Sequence, residues 1–266
     1  MAFFVCDNMK IHFHKYQGTG NDFILIDNRD LSFPADNTEL ITRLCDRKWG
    51  IGADGLMLIQ NSPDEDFEMV FFNPDASKSL CGNGSRCAIT FAKDLGIIEK
   101  QTSFITTDGK HGGTLDLEKG LVSFEIRDIE KVEEKGDNDY FIFNGSPHHI
   151  RFVDNIDEVE IGERGPEVRY HRDYAPGGTN VNFASIENGS LKVRTYERGV
   201  EDETLSCGTG VVATAIAASF KGMDSPISIE TKGGQLSVNF TREEDKFSNI
   251  FLQGPAKKVF EGTFEV

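Results

Sequence analysis

Short apolar runs, each closed by glycine or a polar cluster, fill most of this chain. Residues 11–18 (IHFHKYQG) and 22–27 (DFILID) read as strands with GTGN between them, as do residues 55–59 (GLMLI) and 67–73 (FEMVFFN). Residues 37–50 break the pattern. Leu40, Ile41, Leu44 and Trp49 recur at helical spacing, Asn37 or Thr38 offers an N-cap, and Gly50 offers a stop. CGNGSRCAITFAKDLGI then runs from a glycine-rich turn into a helix, and the strand-like segments SFITT, GGTLDL and LVSFEI follow Gly96.

The second half repeats this grammar. Residues 140–144, 148–153, 179–186 and 191–197 read as strands, CGTGVVATAIAASFKG is again turn then helix, and residues 227–240 read as a hairpin about Gly233 and Gly234. Strands, a Cys-Gly-x-Gly turn, a helix and a glycine-bearing strand pair therefore occur twice in the same order. The pattern predicts duplication of one α/β unit of roughly 120 residues, longer than the period of a solenoid repeat. The most polar connector, residues 128–139 (DIEKVEEKGDND), sets the expected boundary: one domain over 1–128 and a second over 129–254.

The 266 residues suffice for two such domains, and 38% hydrophobic content supports a proper core. Against 28 Lys and Arg stand 44 Asp and Glu, a formal net charge of −16. That excess argues against nucleic acid and anionic membrane as partners, which would repel the chain. No apolar run approaches a membrane span, and MAFFVCDN lacks the basic start and apolar length of a signal peptide. Residues 1–8 read as a loose extension. The five cysteines, Cys6, Cys45, Cys81, Cys87 and Cys207, form no C-x-x-C pair, so they read as reduced thiols of a cytoplasmic protein. His148 and His149 have no cysteine or carboxylate at ligand spacing, and no metal is expected there.

A cysteine before Gly-x-Gly at a helix start has specific chemistry. The first helical turn carries unpaired N–H groups and the positive end of the dipole. A thiol there is expected to ionise more readily, and the glycines let a carboxylate approach the N–H groups. The turn alone leaves another reading open, in which the glycines permit a tight strand-to-helix turn and the cysteines are small buried groups. Cys45 and Cys87, on helical stretches, fit that second reading. Asp54, between Ala53 and Gly55, fits a simple Asx turn.

FFNPDASKSLCGNG before and at Cys81, RTYERGVEDETLSCGTG before and at Cys207, GTGNDF at 18–23 and GIGADGL at 50–56 stand in order along the chain. Together they resemble the diaminopimelate epimerase family, from about Ile11 to the C-terminus. The resemblance implies an α/β (α+β) fold of two similar domains related by a pseudo-twofold axis, each a mixed sheet wrapped as a barrel around a central helix. It implies that the last strand, within 255–266, returns to the first domain. It also implies cofactor-independent epimerisation of LL-diaminopimelate to meso-diaminopimelate, a step of lysine and cell-wall precursor biosynthesis, with no cofactor or metal and an amino acid as the small-molecule partner. The oligomeric state is left open, a homodimer included.

Inverting a stereocentre removes a proton from one face and delivers one to the other, so one group acts as base while its opposite acts as acid. By resemblance Cys81 and Cys207 are that pair, facing across a cleft narrow enough for a disulfide to be conceivable. Gly82 and Asn83, and opposite them Gly208 and Thr209, would donate backbone N–H bonds to the α-carboxylate. Asn21, Asn73 and Asn180 would surround the distal end of the substrate, where Glu197 would take an ammonium and Arg198 would fork a carboxylate, both charges buried. The family usually has asparagine where Ser146 stands, which changes the contact offered by that loop. A racemase or isomerase of another amino acid, such as proline, is an alternative. Those relatives carry histidine at the position of Asn83. A non-catalytic binding protein on the same scaffold is another, against which both cysteines are retained.

Overall fold

The computed structural model describes residues 9–266; Cys6 and the expected extension over residues 1–8 lie outside the described residues. The first half runs β1 (Lys10–Gly18), β2 (Asn21–Asp27), α1 (Thr38–Cys45), β3 (Gly55–Gln60), β4 (Phe67–Phe72), α2 (Gly82–Asp94), β5 (Gln101–Thr106), β6 (Gly109–Asp116) and β7 (Leu121–Ile126). The second runs β8 (Val132–Glu134), β9 (Asp139–Phe143), β10 (Pro147–Phe152), α3 (Ile161–Arg169), β11 (Asn180–Glu187), β12 (Ser190–Glu197), β13 (Asp202–Thr204), α4 (Gly208–Ser219), β14 (Ile227–Thr231), β15 (Gly234–Glu243), β16 (Lys246–Pro255) and β17 (Lys257–Glu265).

The two halves lay down the same ladder. β1 pairs antiparallel with β2, β2 parallel with β3, β3 antiparallel with β4, β4 parallel with β5, and β5–β6–β7 form a meander. β9, β10, β11, β12, β14, β15 and β16 repeat each of those relations in turn. Each ladder begins with one more antiparallel strand: β17 on β1 and β8 on β9. The last strands of the two ladders, β7 and β16, pair antiparallel with each other and join the halves. Equivalent strands meeting antiparallel make this join an approximate two-fold axis.

α2 and α4 sit at the centres of the two curled ladders. Both are buried on most faces, as a helix surrounded by sheet is, α4 with mainly apolar side chains and α2 with polar ones in its first turns. Cys87, Ala88, Ile89, Phe91 and Ala92 of α2, and Val211 through Ala218 of α4 apart from Thr214, belong to one continuous core cluster. A second cluster packs α1 on the outer face of β2 and β3, and a third packs β11 and β12 against α3.

The structure departs from the sequence expectations at four places. The helix predicted over 37–50 ends at Cys45, although Asn37 does cap it, accepting from Leu40 N–H at 3.0 Å. Asp46 accepts the N–H groups of Lys48 and Trp49 at 2.7 Å each, and this turn ends the helix and throws Trp49 out to 79% exposure. α3 was missed because Gly165 and Pro166 interrupt any helical pattern; Tyr196 packs where a Cβ on Gly165 would sit. β16 was missed, and part of the 128–139 connector is strand β8.

Candidate active site

α2 and α4 point their N-termini at each other. A Cβ added to Gly208 would lie 3.4 Å from Gly82 Cα and 3.3 Å from Asn83 Oδ1, so the two turns are in close contact at their glycines. Cys81 and Cys207 are the N-caps of these helices, both with extended backbone, and both are free thiols. Cys81 is half-buried and its Sγ accepts from Gly84 N–H at 3.5 Å; Cys207 is buried. The first N–H groups of a helix have no intrahelical acceptor, so those of Gly82 and Asn83 and of Gly208 and Thr209 form two facing donor pairs.

Asn83 fastens this arrangement. Its amide donates to Asn21 Oδ1 at 2.6 Å and across the halves to the Ser206 carbonyl at 3.0 Å. Asn21 in turn donates to Asp54 Oδ2 at 2.9 Å. Asp54 is therefore more than a turn residue: it also accepts from Asp22 N–H and pairs with Arg47 at 2.8 Å, and Arg47 bridges on to Asp22 and thence to buried Lys15. Asn180 is committed similarly, donating to the Pro147 carbonyl at 3.0 Å and accepting from Arg198 N–H at 2.9 Å. Both amides are thus locked in orientation by the backbone or a carboxylate. Asn73 stands apart. It is held within its own loop by Ser77 and Ser79 and shares no hydrogen bond with the other candidates among the described residues.

A second network surrounds Cys207. Asn182 Nδ2 lies 3.1 Å from the His149 carbonyl, which fixes the amide, and so donates to His148 Nδ1 at 3.2 Å. The neutral ring then carries its proton on Nε2, facing Thr209 Oγ1 at 3.0 Å and Ser146 Oγ at 2.9 Å. That leaves the Thr209 hydroxyl free to donate to Cys207 Sγ, 3.7 Å away. Burial, with the nearby Arg198 charge, pulls His148 down to about 3, so it stays neutral. Ser146 thus supports His148 from the loop before β10.

The expectation of easily ionised thiols is overturned. Burial pushes Cys81 up to about 11 and Cys207 up further still, and the Glu197 carboxylate adds to both. The helix N–H groups oppose this, but desolvation of a thiolate in a closed site outweighs them. Cys45 and Cys87 are buried and raised for the same reason.

Burial was expected of both Glu197 and Arg198, and only Glu197 meets it. Burial raises the Glu197 carboxyl, whose one partner among the described residues is the Thr204 hydroxyl at 2.8 Å. Arg198 is exposed, and its guanidinium makes no hydrogen bond or ion pair among the described residues. The expected pair of buried charges is one desolvated carboxylate and one hydrated cation.

The family model for diaminopimelate epimerase matches residues 13–129 and 140–259, one segment in each half. The chain belongs to the diaminopimelate epimerase family. A diaminopimelate epimerase from Flavobacterium psychrophilum is 50% identical over 254 residues, covering 94% of this chain and 98% of that protein. One from Aquifex aeolicus is 38% identical over 273 residues, covering 95% and 97%. Among solved structures, a Bacillus anthracis phenazine biosynthesis protein of the PhzF family superposes with a TM-score of 0.77 at 15% identity, covering 97% of this chain and 99% of that one. A hydroxyproline epimerase from Agrobacterium vitis gives 0.70 at 13% identity, covering 97% and 93%. At these identities the structural matches speak to the fold alone, which is the paired α/β fold of this family. No helix among the described residues is long and apolar enough to cross a membrane.

The sequence reading missed Asp54, His148 and Asn182 as parts of the site. Each reaches it through a partner distant in sequence, and nothing in local spacing marks such a contact.

Proposed function

We propose that this protein interconverts LL- and meso-diaminopimelate by proton transfer at one α-carbon, with Cys81 and Cys207 as the two acid–base groups. The observation that carries this reading is the meeting of two cysteine-capped helix N-termini at Gly82 and Gly208. Two facing donor pairs suit one α-carboxylate, and a sulfur at each cap places one acid–base group on either side of the carbon it carries. A thiolate on one side and a thiol on the other make a single-proton relay, and the same two groups serve the reverse direction with roles exchanged.

The donor pairs stabilise charge that develops on the carboxylate as the α-proton leaves, and exclusion of water strengthens them. Glu197 takes the distal ammonium and Arg198 the distal carboxylate. Asn21, Asn73 and Asn180 are read as the surrounding amides, Asn21 and Asn180 already oriented by their bonds to Asp54 and Arg198 N–H. Residues 1–128 with 255–266 form one domain of this reading and 129–254 the other. We place the reaction in the cytoplasm, where both thiols remain reduced, and take a homodimer as the assembly to be tested by light scattering.

The deciding experiment incubates the protein with LL-diaminopimelate in D2O and follows deuterium at the α-carbon by mass spectrometry and the isomers by chiral chromatography. Deuterated meso product is expected. Retention of protium at both centres together with unchanged configuration would overturn the reading.

A further inference from the structure

Arg86 lies one turn inside α2 and is completely buried. It has no carboxylate partner among the described residues. One terminal nitrogen donates to Thr19 Oγ1 at 3.1 Å, the other reaches the Gly82 carbonyl at 3.5 Å, and Nε has no partner. Thr19 is left to donate to Asn83 Oδ1 at 3.5 Å. The guanidinium therefore sits directly beneath the turn that carries Cys81, Gly82 and Asn83. Burial pulls it down to about 10, so it is a full cation at neutral pH.

This placement is unfavourable for folding on two counts. A buried cation without an anion is strongly penalised, and a positive charge in the early turns of a helix opposes the dipole. Packing does not demand it. The duplicated turn gives a control within the same molecule: five residues after Cys207, where Arg86 stands after Cys81, α4 carries Val212, fully buried in the same core. The fold accepts an apolar residue at this position, and the charge in α2 has no anion to offset it among the described residues.

We propose that Arg86 is the positioning residue of the first cysteine, a buried counter-charge that stabilises the thiolate of Cys81 when the proton leaves it. This rests on the acid–base role assigned to Cys81 above. The titratable side chains whose charge bears on Cys81 are Glu197 from β12, Cys207 from α4, and Cys87 and Arg86 on its own helix. The Gly84 and Asn83 N–H groups favour its thiolate from the backbone, and Arg86 is the one side-chain cation in that set. Through Thr19 it also orients Asn83, whose backbone N–H belongs to the donor pair. The second cysteine lacks such a cation and has the neutral His148–Thr209 network instead, so the two halves stabilise their sulfurs by different means.

The test measures alkylation of Cys81 by iodoacetamide between pH 7 and 10 in the full-length protein without substrate, with peptide mapping to separate it from the other cysteines. Arg86→Met should slow Cys81 alkylation at pH 8 about tenfold, a shift of about one pH unit in its thiolate profile, while Arg86→Lys stays within about threefold of the wild type. The melting temperature of Arg86→Met should hold or rise, because an apolar side chain replaces an unpaired charge. Unchanged alkylation in Arg86→Met, or an equal loss in Arg86→Lys, would overturn the proposal. Should Arg86→Met not fold, Arg86→Gln takes its place with the same two outcomes. Because no substrate is present, this result stands apart from the isotope experiment: normal deuterium incorporation with unchanged alkylation removes the role of Arg86 alone, and a tenfold alkylation loss without epimerisation removes the proposed function alone.

Discussion

The turn at Cys81 and the turn at Cys207 share a backbone and differ in nearly everything attached to it. Both are strand-to-helix turns on equivalent rungs of a duplicated ladder, and both place a cysteine at the N-cap. Around Cys81 the surroundings are polar and charged: Arg86 beneath it, and Asn83 tied to Asn21 and to the opposite half. Around Cys207, which shares the Glu197 carboxylate with Cys81, stand the apolar side chains of α4 and the neutral His148–Thr209 network, with no buried cation among the described residues. Duplication has kept the backbone turn and let the surroundings of each sulfur diverge. On the proposed two-base reading, the two faces of one carbon are not equivalent for a substrate with a second stereocentre, so identical turns are not required.

Removing either sulfur should have the largest effect. Cys81→Ser and Cys207→Ala should each lower turnover by about 10²–10⁴, the usual worth of a positioned acid–base group, with circular dichroism unchanged. Near-normal turnover in either would mean that the two turns are not a working pair. The distal end should come next, and it separates Glu197 from Arg198. An analogue lacking the distal ammonium leaves the desolvated Glu197 unpaired, a loss of about 1–3 kcal/mol, so kcat/KM should fall by about 10–100-fold. L-lysine lacks the distal carboxylate instead, and hydrated Arg198 loses less, so its penalty should be smaller than that of L-2-aminopimelate. The reverse order in kcat/KM for these two compounds would move the discrimination to Arg198.

The pH dependence should be smaller still. Both thiols lie above their ordinary value, Cys81 at about 11, so at neutral pH the resting site is mostly thiol. The thiolate fraction then grows about tenfold per pH unit below that value, and kcat/KM should rise by up to tenfold between pH 7 and 8. A flat profile there would show that desolvation does not govern the resting pair. The same shift has a stability consequence. The folded state favours the protonated thiol, so this contribution is fully present below the ordinary thiol value and lost as pH rises through the raised one. Smallest of all, Asn144→Ala removes the 2.8 Å bond from Asn144 to the Thr209 carbonyl, which pins the α4 turn from the loop before β10. A loss of about 1 kcal/mol in urea unfolding is expected, with Cys81 alkylation unaffected. A larger effect at Cys81 than at Cys207 would show that the two turns respond as one body.

Legibility followed locality. α2 and α4 were readable because glycine, cysteine and an apolar run lie in one contiguous stretch. The hairpin at Gly233 was readable for the same reason. α3 was not, since Gly165 and Pro166 hide a helix that exists because Val168 and Ile161 are covered by β11 and β12. Trp49 was misread because helical spacing alone cannot see that Asp46 will accept two N–H groups and end the helix.

The amino-acid sequence by itself determined the duplication, the two cysteine turns and the family, because each is written in adjacent letters. Only the tertiary structure decided the state of the chemistry. Whether a thiol ionises depends on how much water is excluded from it, and whether Glu197 or Arg198 is desolvated depends on which strand ends cover it. The placement of Arg86 under the first turn, of His148 against Thr209 and of Asp54 against Asn21 likewise joins residues far apart in the chain. Desolvation and long-range hydrogen bonding are properties of packed neighbours in space, and no local pattern of residue types encodes them.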